Sequence, residues 1–292
     1  MALRSKETNE LLKRVRRIEL RTKGLSSQLF SGEYHSAFKG RGMAFSEVRE
    51  YAPGDEIRTI DWNVTARTGI AHVKVFEEER ELTVMLLVDV SASDDFGATM
   101  MTKRSLITEL SAVLSFSAIQ NNDKVGVIFF SDRIEKFIPP KKGRSHILMI
   151  ISTLLEFKPE GKRTDISMAL GYLNQVVKKR STAFLLSDFM DDGFENALKI
   201  ANKKHDIIAL QVNDRKEKEL PDAGIVRFSD RETGMTQWVD TSNKKVRTKY
   251  AAEALRQNAE LREIFRRSGV DNQRLLTDEP YIVPLMQLFK RR

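Results

Sequence analysis

The chain has 292 residues, of which 41% are hydrophobic and 31% are charged, with no cysteine and a net charge of +8. This composition is typical of a globular protein with a full hydrophobic core and argues against a disordered chain. The absence of cysteine excludes disulfide bonds and thiolate zinc sites and suits a reducing compartment. No apolar run approaches the ~20 residues of a membrane span, and the polar N-terminus lacks a secretory apolar segment, so we expect a cytoplasmic protein.

The first predicted element is an amphipathic helix over about residues 6–23. Leu11, Val15 and Ile18 recur at helical spacing, and lysines and arginines fill the opposite face. Because no aromatic residues are interleaved for base stacking, this basic face predicts docking on protein rather than recognition of a specific nucleic acid. A Gly- and Arg-rich stretch follows over residues 38–69.

Residues 72–76 alternate in polarity and predict a strand that enters the main sheet. Beyond it strands alternate with helices, which predicts an α/β fold with a doubly wound, mainly parallel sheet flanked by helices. The predicted strands are 82–89, 124–131, 133–138, 182–187 and 206–213, and the predicted helices are 102–121, 145–157, 166–179 and 193–204. The adjacent strands around residues 131–132 form a hairpin in this prediction and give the sheet one antiparallel edge.

After residue 214 the pattern changes to a hairpin, a long helix, a strand and a last helix. Their predicted ranges are 225–228 with 236–239, 244–268, 270–277 and 280–289. We expect this part to pack beside the core or to extend its sheet. The sequence thus predicts three parts: residues 1–80 with the N-terminal helix, residues 81–214 as the α/β domain, and residues 215–292 packed on it.

Oxygen-bearing side chains follow three of these segments. Asp89, Ser91 and Ser93 come directly after the apolar run 82–88, Thr164 opens a predicted helix, and Asp188 follows the strand 182–187. Strand ends of a parallel sheet meet at one edge, where open α/β sheets bind ligands. Hard oxygen ligands suit Mg²⁺, with Mn²⁺ or Ca²⁺ as alternatives. The sequence therefore predicts a metal site at this edge.

Two observations weigh against a metal there. Serine and aspartate are common in ordinary turns because their side chains bond nearby backbone groups, so the Asp-x-Ser-x-Ser pattern alone also fits a plain turn. In addition, Lys162 and Arg163 directly precede Thr164 and would oppose a cation there.

The order of these residues resembles the von Willebrand factor type A domain and its metal-ion-dependent adhesion site. The resemblance implies that Ser91 and Ser93 bind the ion directly, that Asp89 and Asp188 act mostly through bound water, and that Thr164 acts either way. An open coordination position would then accept a Glu or Asp of a protein partner. The run 49–67, which begins Arg-Glu-Tyr-Ala-Pro-Gly-Asp, is similar to the signature of the DUF58 family. Those bacterial proteins carry a type A-like domain and commonly accompany MoxR-type AAA+ ATPases.

The segment 49–67 has two interpretations of its own. Tyr51, Ile57, Ile60 and Trp62 predict a satellite core surrounded by ion pairs among the segment's charged residues. Alternatively, its arginines contact an acidic partner surface.

For function, the favoured hypothesis is a non-enzymatic adaptor that binds a partner, such as a MoxR-type ATPase or its client, through Mg²⁺. No phosphate-binding loop, Gly-x-Ser-x-Gly elbow or zinc helix is present. One alternative is a Mg²⁺-dependent phosphohydrolase, although Ser91 stands where that chemistry normally has a second acid. The other alternative is a basic scaffold with a vestigial metal site.

Overall fold

A computed structural model of the chain describes residues 13, 15–20, 22, 43–78, 82–91, 101–215, 220–229 and 236–292. The chain forms two compact units, a small one of residues 38–82 and a main one of residues 1–37 and 83–292. The three-part division predicted from the sequence stays a prediction.

The small unit is built on a two-stranded antiparallel sheet of β1 (Met43–Glu50) and β2 (His72–Glu78). Between the strands lie a 3₁₀ turn (Ile57–Thr59) and the short helix α1 (Trp62–Thr68), which begins where the Asp61 carboxylate accepts two backbone N–H groups. The prediction that residues 72–76 enter the main sheet is wrong. A partner strand is available in β1, within the stretch for which the sequence predicted no strand.

The signature segment in this unit has exposed apolar side chains. Ile57 is 68% exposed and Trp62 is 67% exposed, so the predicted satellite core is wrong for both residues. One predicted ion pair is confirmed: the Arg49 guanidinium and the Asp55 carboxylate form two hydrogen bonds of 2.8 and 2.6 Å. This pair closes the turn between β1 and the 3₁₀ turn, so the segment is held by polar contacts as well as by its sheet.

The main unit contains a six-stranded sheet and a separate hairpin. The strands of the sheet begin with β3 (Thr83–Asp89), β4 (Lys124–Phe130), β5 (Ile134–Lys141), β6 (Thr182–Ser187) and β7 (Asp206–Asn213). The hairpin of β8 (Ile225–Ser229) and β9 (Thr236–Asp240) follows, and β10 (Asp271–Leu276) then joins the sheet beside β7. The order is β10-β7-β6-β3-β4-β5, with every neighbouring pair parallel except β4 and β5. The predicted extension of the sheet by the C-terminal part is confirmed.

Besides the helical residues near the N-terminus, the described part of the main unit contains the helices α2 (Lys103–Gln120), α3 (Arg144–Glu156), α4 (Ile166–Val176), α5 (Glu195–Lys204), α6 (Lys244–Ser268) and α7 (Ile282–Lys290). On one face of the sheet, Met85 and Leu87 of β3 share a core with apolar residues of α4, α5 and α6. The strand residues between these core positions point to the opposite face of the sheet. One of them is Phe184 of β6, whose ring makes an edge-on contact with Phe289 of α7 at 6.3 Å between centroids. Strands buried on both faces need continuous apolar runs. The predicted α/β fold, mainly parallel and flanked by helices, is confirmed.

The strand β5 forms the antiparallel edge of the sheet, as the sequence predicted. It extends beyond the predicted range 133–138 and includes Pro139 and Pro140. The pairing with β4 shifts register around Gly126, where an added Cβ atom would lie 2.9 Å from the backbone nitrogen of Pro140. A glycine at this position therefore gives the bulged, proline-containing edge room to pass.

Part of the predicted N-terminal helix lies within the described residues. Residues 15–20 are helical, with Val15 buried, and the Glu19 carboxylate accepts a hydrogen bond of 2.6 Å from Nε of Arg144 at the start of α3. The rest of the predicted range 6–23 is mostly outside the described residues. Within the parts of the chain that the structure describes, none of the helices has the length and apolar character needed to cross a membrane.

At the amino end of the sheet, His205 predicts a pH dependence of stability. Its ring is fully buried, and Nδ1 lies 3.0 Å from the Ser181 hydroxyl. Burial, helped by the charges of Lys204 and Arg180, lowers the pKa of His205 from 6.5 to about 4. The unfolded chain therefore takes up this proton at a higher pH than the folded chain, and folding free energy is lost as the pH falls from 6.5 toward 4. Urea unfolding at several pH values in this range should show that the free energy of unfolding falls less steeply with decreasing pH for His205→Gln than for wild type. Equal slopes of this free energy against pH would contradict the prediction.

Candidate metal site

The predicted site residues lie where the chain changes direction across the sheet. After β3 the chain builds β4 and β5 on one side, and it then returns to place β6 on the other side of β3. Asp89 is the last residue of β3, and Asp188 directly follows β6, so both carboxylates lie at the switch point. Such a point is the usual ligand crevice of an open α/β sheet.

Asp89 is fully buried and is the centre of a hydrogen-bond cluster. Its Oδ1 accepts the backbone N–H of Ser91 at 3.0 Å. Its Oδ2 accepts the hydroxyl of Ser187 at 2.6 Å and the hydroxyl of Thr164 at 3.4 Å. The structure thus brings Asp89, Ser91, Thr164 and Asp188 to one edge, whereas Ser93 lies outside the described residues.

The turn after β6 holds Asp188 in place through an unusual backbone conformation. Phe189 has φ of 60°, a value that non-glycine residues seldom adopt. Its ring is buried and meets the ring of Phe265 edge-on at 5.1 Å between centroids. The backbone N–H groups of Phe189 and Met190 donate to Ser187 Oγ and Asp188 Oδ1, at 2.9 and 3.1 Å. The Met190 N–H therefore holds one oxygen of the Asp188 carboxylate, in a turn that the buried Phe189 ring anchors to the core.

Thr164 is positioned by the start of helix α4. The Asp165 carboxylate caps this helix by accepting the Met168 N–H at 2.8 Å, and the backbone N–H of Asp165 donates to the Ser131 carbonyl at 3.0 Å. The Ile166 N–H donates to Asp191 at 2.8 Å, which joins α4 to the loop after β6. The threonine hydroxyl is consequently presented to the same edge as the two carboxylates.

Lys103 is a site residue that no sequence pattern indicated. Its Nζ lies 2.7 Å from Oδ2 of Asp188, and only 1% of the residue is exposed. The two residues are 85 positions apart in sequence, and no local pattern distinguishes this lysine from the others in the chain. Ser187 was also missed, although a serine at the last position of an apolar strand is a detectable signal.

The opposition to a cation that was expected from Lys162 and Arg163 stays a prediction. Both residues are exposed, while the glycine before them, Gly161, is buried and donates its N–H to Glu135 at 2.8 Å. An added Cβ atom at Gly161 would lie 2.1 Å from the Ser131 hydroxyl, so a larger residue would force the neighbouring side chains to shift. Among the described residues, a positive charge that contacts the site directly is that of Lys103.

The charges of the described residues at this edge do not balance. Among them, Asp89 and Asp188 are two buried carboxylates and Lys103 supplies one ammonium group, which leaves one negative charge. Burial and the neighbouring charge of Asp188 raise the pKa of Asp89 to about 7. A buried carboxylate pair with this excess charge favours either a proton or a further cation.

The donors fit a hard cation. They comprise carboxylate and hydroxyl oxygens, the ligand type that Mg²⁺ prefers. Among the described residues there is no group of three or more His, Asp or Glu side chains placed to hold a metal, so a site here would depend on serine and threonine hydroxyls as well. Because the Asp89 oxygens already accept three hydrogen bonds, that residue is suited to acting through bound water.

Comparisons with known proteins add a family match. The model of the family described as protein of unknown function DUF58 matches residues 47–260. An uncharacterized protein of Mycobacterium tuberculosis is 29% identical over 282 residues, which cover 95% of this chain and 88% of that protein. The uncharacterized protein YeaD of Bacillus subtilis is 34% identical over 62 residues, which cover 21% of this chain and 16% of that protein.

Solved structures resemble the chain at low identity. BatB from Bacteroides thetaiotaomicron is 17% identical, with 72% of this chain and 98% of that chain covered and a TM-score of 0.47. The VWA domain of SpRpn10 is 11% identical, with 73% and 95% covered and a TM-score of 0.38.

Proposed function

The chain belongs to the DUF58 family of proteins of unknown function, and we propose that it is a type A-like interaction module that binds an acidic side chain of a protein partner through Mg²⁺. The observation that carries the proposal is the convergence of Asp89, Ser91, Thr164 and Asp188 at the switch point between β3 and β6. Ser93 completes the proposed set by resemblance to the adhesion site of type A domains.

The residues have distinct roles in this proposal. Ser91, Ser93 and Thr164 present hydroxyl oxygens to the ion, and Asp89 and Asp188 supply charge while their oxygens stay largely engaged in hydrogen bonds. When bound, Mg²⁺ would supply an open coordination position with a preference for an anionic oxygen. We propose a MoxR-type AAA+ ATPase, or its client, as the partner and the cytoplasm as the location, on the resemblance to bacterial family members.

The test is capture of a purified MoxR-type ATPase from the same organism by the immobilised protein. We expect capture in Mg²⁺ that is lost in EDTA and lost with Ser91→Ala, since that variant removes a proposed ligand. Ser145→Ala, at an exposed position in α3, serves as the matched control and should capture as wild type does. Capture that EDTA leaves unchanged would contradict the ion bridge.

A second candidate function, a Mg²⁺-dependent phosphohydrolase, is favoured by one observation. A buried lysine paired with one of the two carboxylates at a proposed Mg²⁺ site is a charge arrangement that also suits phosphoryl groups. It lacks a suitable proton donor two residues after Asp89, because Ser91 stands there. We expect no turnover of generic phosphate esters above background in Mg²⁺, and turnover that disappears with Asp89→Asn would favour the enzyme instead.

A further inference from the structure

The side chain of Lys103 has an environment that needs a functional explanation. Lysine is among the residues least often buried, because removing an ammonium group from water is costly unless it is paired. Here the Nζ atom lies 2.7 Å from Asp188 Oδ2, and the side chains of the pair are 2% and 1% exposed. The pair lies within the proposed ion site rather than elsewhere in the core.

We propose that Lys103 is a built-in cation of this site, which holds Asp188 in the metal-free protein and weakens binding of a divalent ion by competing for that carboxylate. The inference rests on the proposed ion site and goes beyond it, because it assigns a role to a residue outside the type A pattern. Lys103 would then set the ion concentration at which the site fills.

The hydrogen bonds of Asp188 support competition. Its Oδ1 accepts the Met190 N–H at 3.1 Å, and its Oδ2 accepts Lys103 Nζ at 2.7 Å. Both oxygens are therefore engaged, and an ion or its bound water can use Oδ2 only if the ammonium group moves away or shares it. Electrostatics acts in the same direction, because two positive charges a few ångströms apart repel strongly in a poorly hydrated site.

The position of Lys103 in the fold suits such a role. It is the first residue of α2, where Thr102 caps the helix by accepting the Ser105 N–H at 3.2 Å. The backbone is thus anchored, while the four-carbon side chain carries its charge on rotatable bonds. An ammonium group on a flexible side chain neutralises one carboxylate, and a divalent cation can still displace it.

The experiment measures Mn²⁺ binding by calorimetry and by the electron paramagnetic resonance signal of free Mn²⁺. Wild type is compared with Lys103→Gln, which keeps a hydrogen-bond donor without the charge, and with Lys103→Met, which removes both. Lys136→Gln, at an exposed position in β5, is the matched control. We expect both Lys103 variants to bind Mn²⁺ at least about tenfold more tightly than wild type. A second readout, the rise in melting temperature on adding Mg²⁺, should be larger for them than for wild type.

The outcomes separate this inference from the proposed function. Binding by the variants that equals or falls below that of wild type overturns the competition, while the proposed ion site stands. If the Lys103 variants bind Mn²⁺ and wild type does not, the competition is supported, and the use of a divalent ion by the natural protein is overturned. Absence of binding in all proteins overturns both. Should Lys103→Met fail to fold, the Lys103→Gln comparison decides the matter.

Discussion

Replacing Lys103 by methionine is expected to lower the free energy of unfolding by about 3–5 kcal/mol in EDTA, the range found when one partner of a buried ion pair is removed. The loss follows because the buried Asp188 carboxylate then loses the ammonium group that pairs with it, while Asp89 stays buried as a second carboxylate. Urea unfolding at neutral pH, followed by circular dichroism, measures it. Lys136→Met, on the exposed side of β5, should unfold close to wild type.

A second substitution tests the cause of that loss. In Lys103→Met combined with Asp188→Asn, one negative charge and the ammonium group are both gone, so we expect most of the lost stability to return. Such non-additivity is the signature of residues that interact directly. The explanation fails if the double variant is no more stable than Lys103→Met alone, since the lysine would then act through packing of its side chain.

Replacing Asp89 by asparagine is expected to weaken Mn²⁺ binding by about 10–100-fold, the usual effect of removing a group that orients metal ligands. The variant keeps an oxygen that can accept the Ser91 N–H, but it loses the buried charge. Because burial raises the pKa of Asp89 to about 7, the charged form is disfavoured in the folded protein, and asparagine should not reduce stability in EDTA. This variant should therefore bind Mn²⁺ more weakly than wild type without being less stable in EDTA.

Calorimetry with Mn²⁺ provides the measurement, and Asp192→Asn provides the control. Asp192 is exposed and follows β6 in the same loop as Asp188, so it tests whether any nearby negative charge suffices. We expect the control to bind as wild type does. Identical titrations of wild type and Asp89→Asn would remove the ion site from consideration, and partner capture would then need another explanation.

The sequence predicted the main sheet well because its strands are buried on both faces. Continuous apolar runs such as 84–88 and 183–186 favour buried strands. The polar residue that follows each run lies at the sheet edge. Asp89 and Asp188 were therefore predicted together at one edge. Their role in ion binding stays a prediction.

Contacts between residues far apart along the chain could not be predicted from the sequence. Lys103 begins a helix whose pattern shows only that the helix is buried, and its pairing with Asp188 depends on how α2 meets the end of β6. The positive φ of Phe189 could not be predicted either, because an aromatic residue in the sequence gives no indication of a left-handed backbone conformation. Tertiary packing over-determines such a conformation, and local propensity does not reveal it.

The small unit shows a different limitation. Ile57 and Trp62 are apolar, and composition alone favours burial for such residues. The structure leaves both largely exposed, on a segment closed by the Arg49–Asp55 pair. Apolar content predicts a core only when an element exists to cover it, and the 3₁₀ turn and short helix here offer little such cover.

The two prolines of β5 have a consequence for self-association. An open sheet margin is a template on which a second chain can add its own strand, and repeated addition leads to fibres. Neither Pro139 nor Pro140 has an amide hydrogen to offer an incoming strand, and the shifted register at Gly126 bends the margin further. This side of the molecule is thereby protected against polymerisation through backbone pairing.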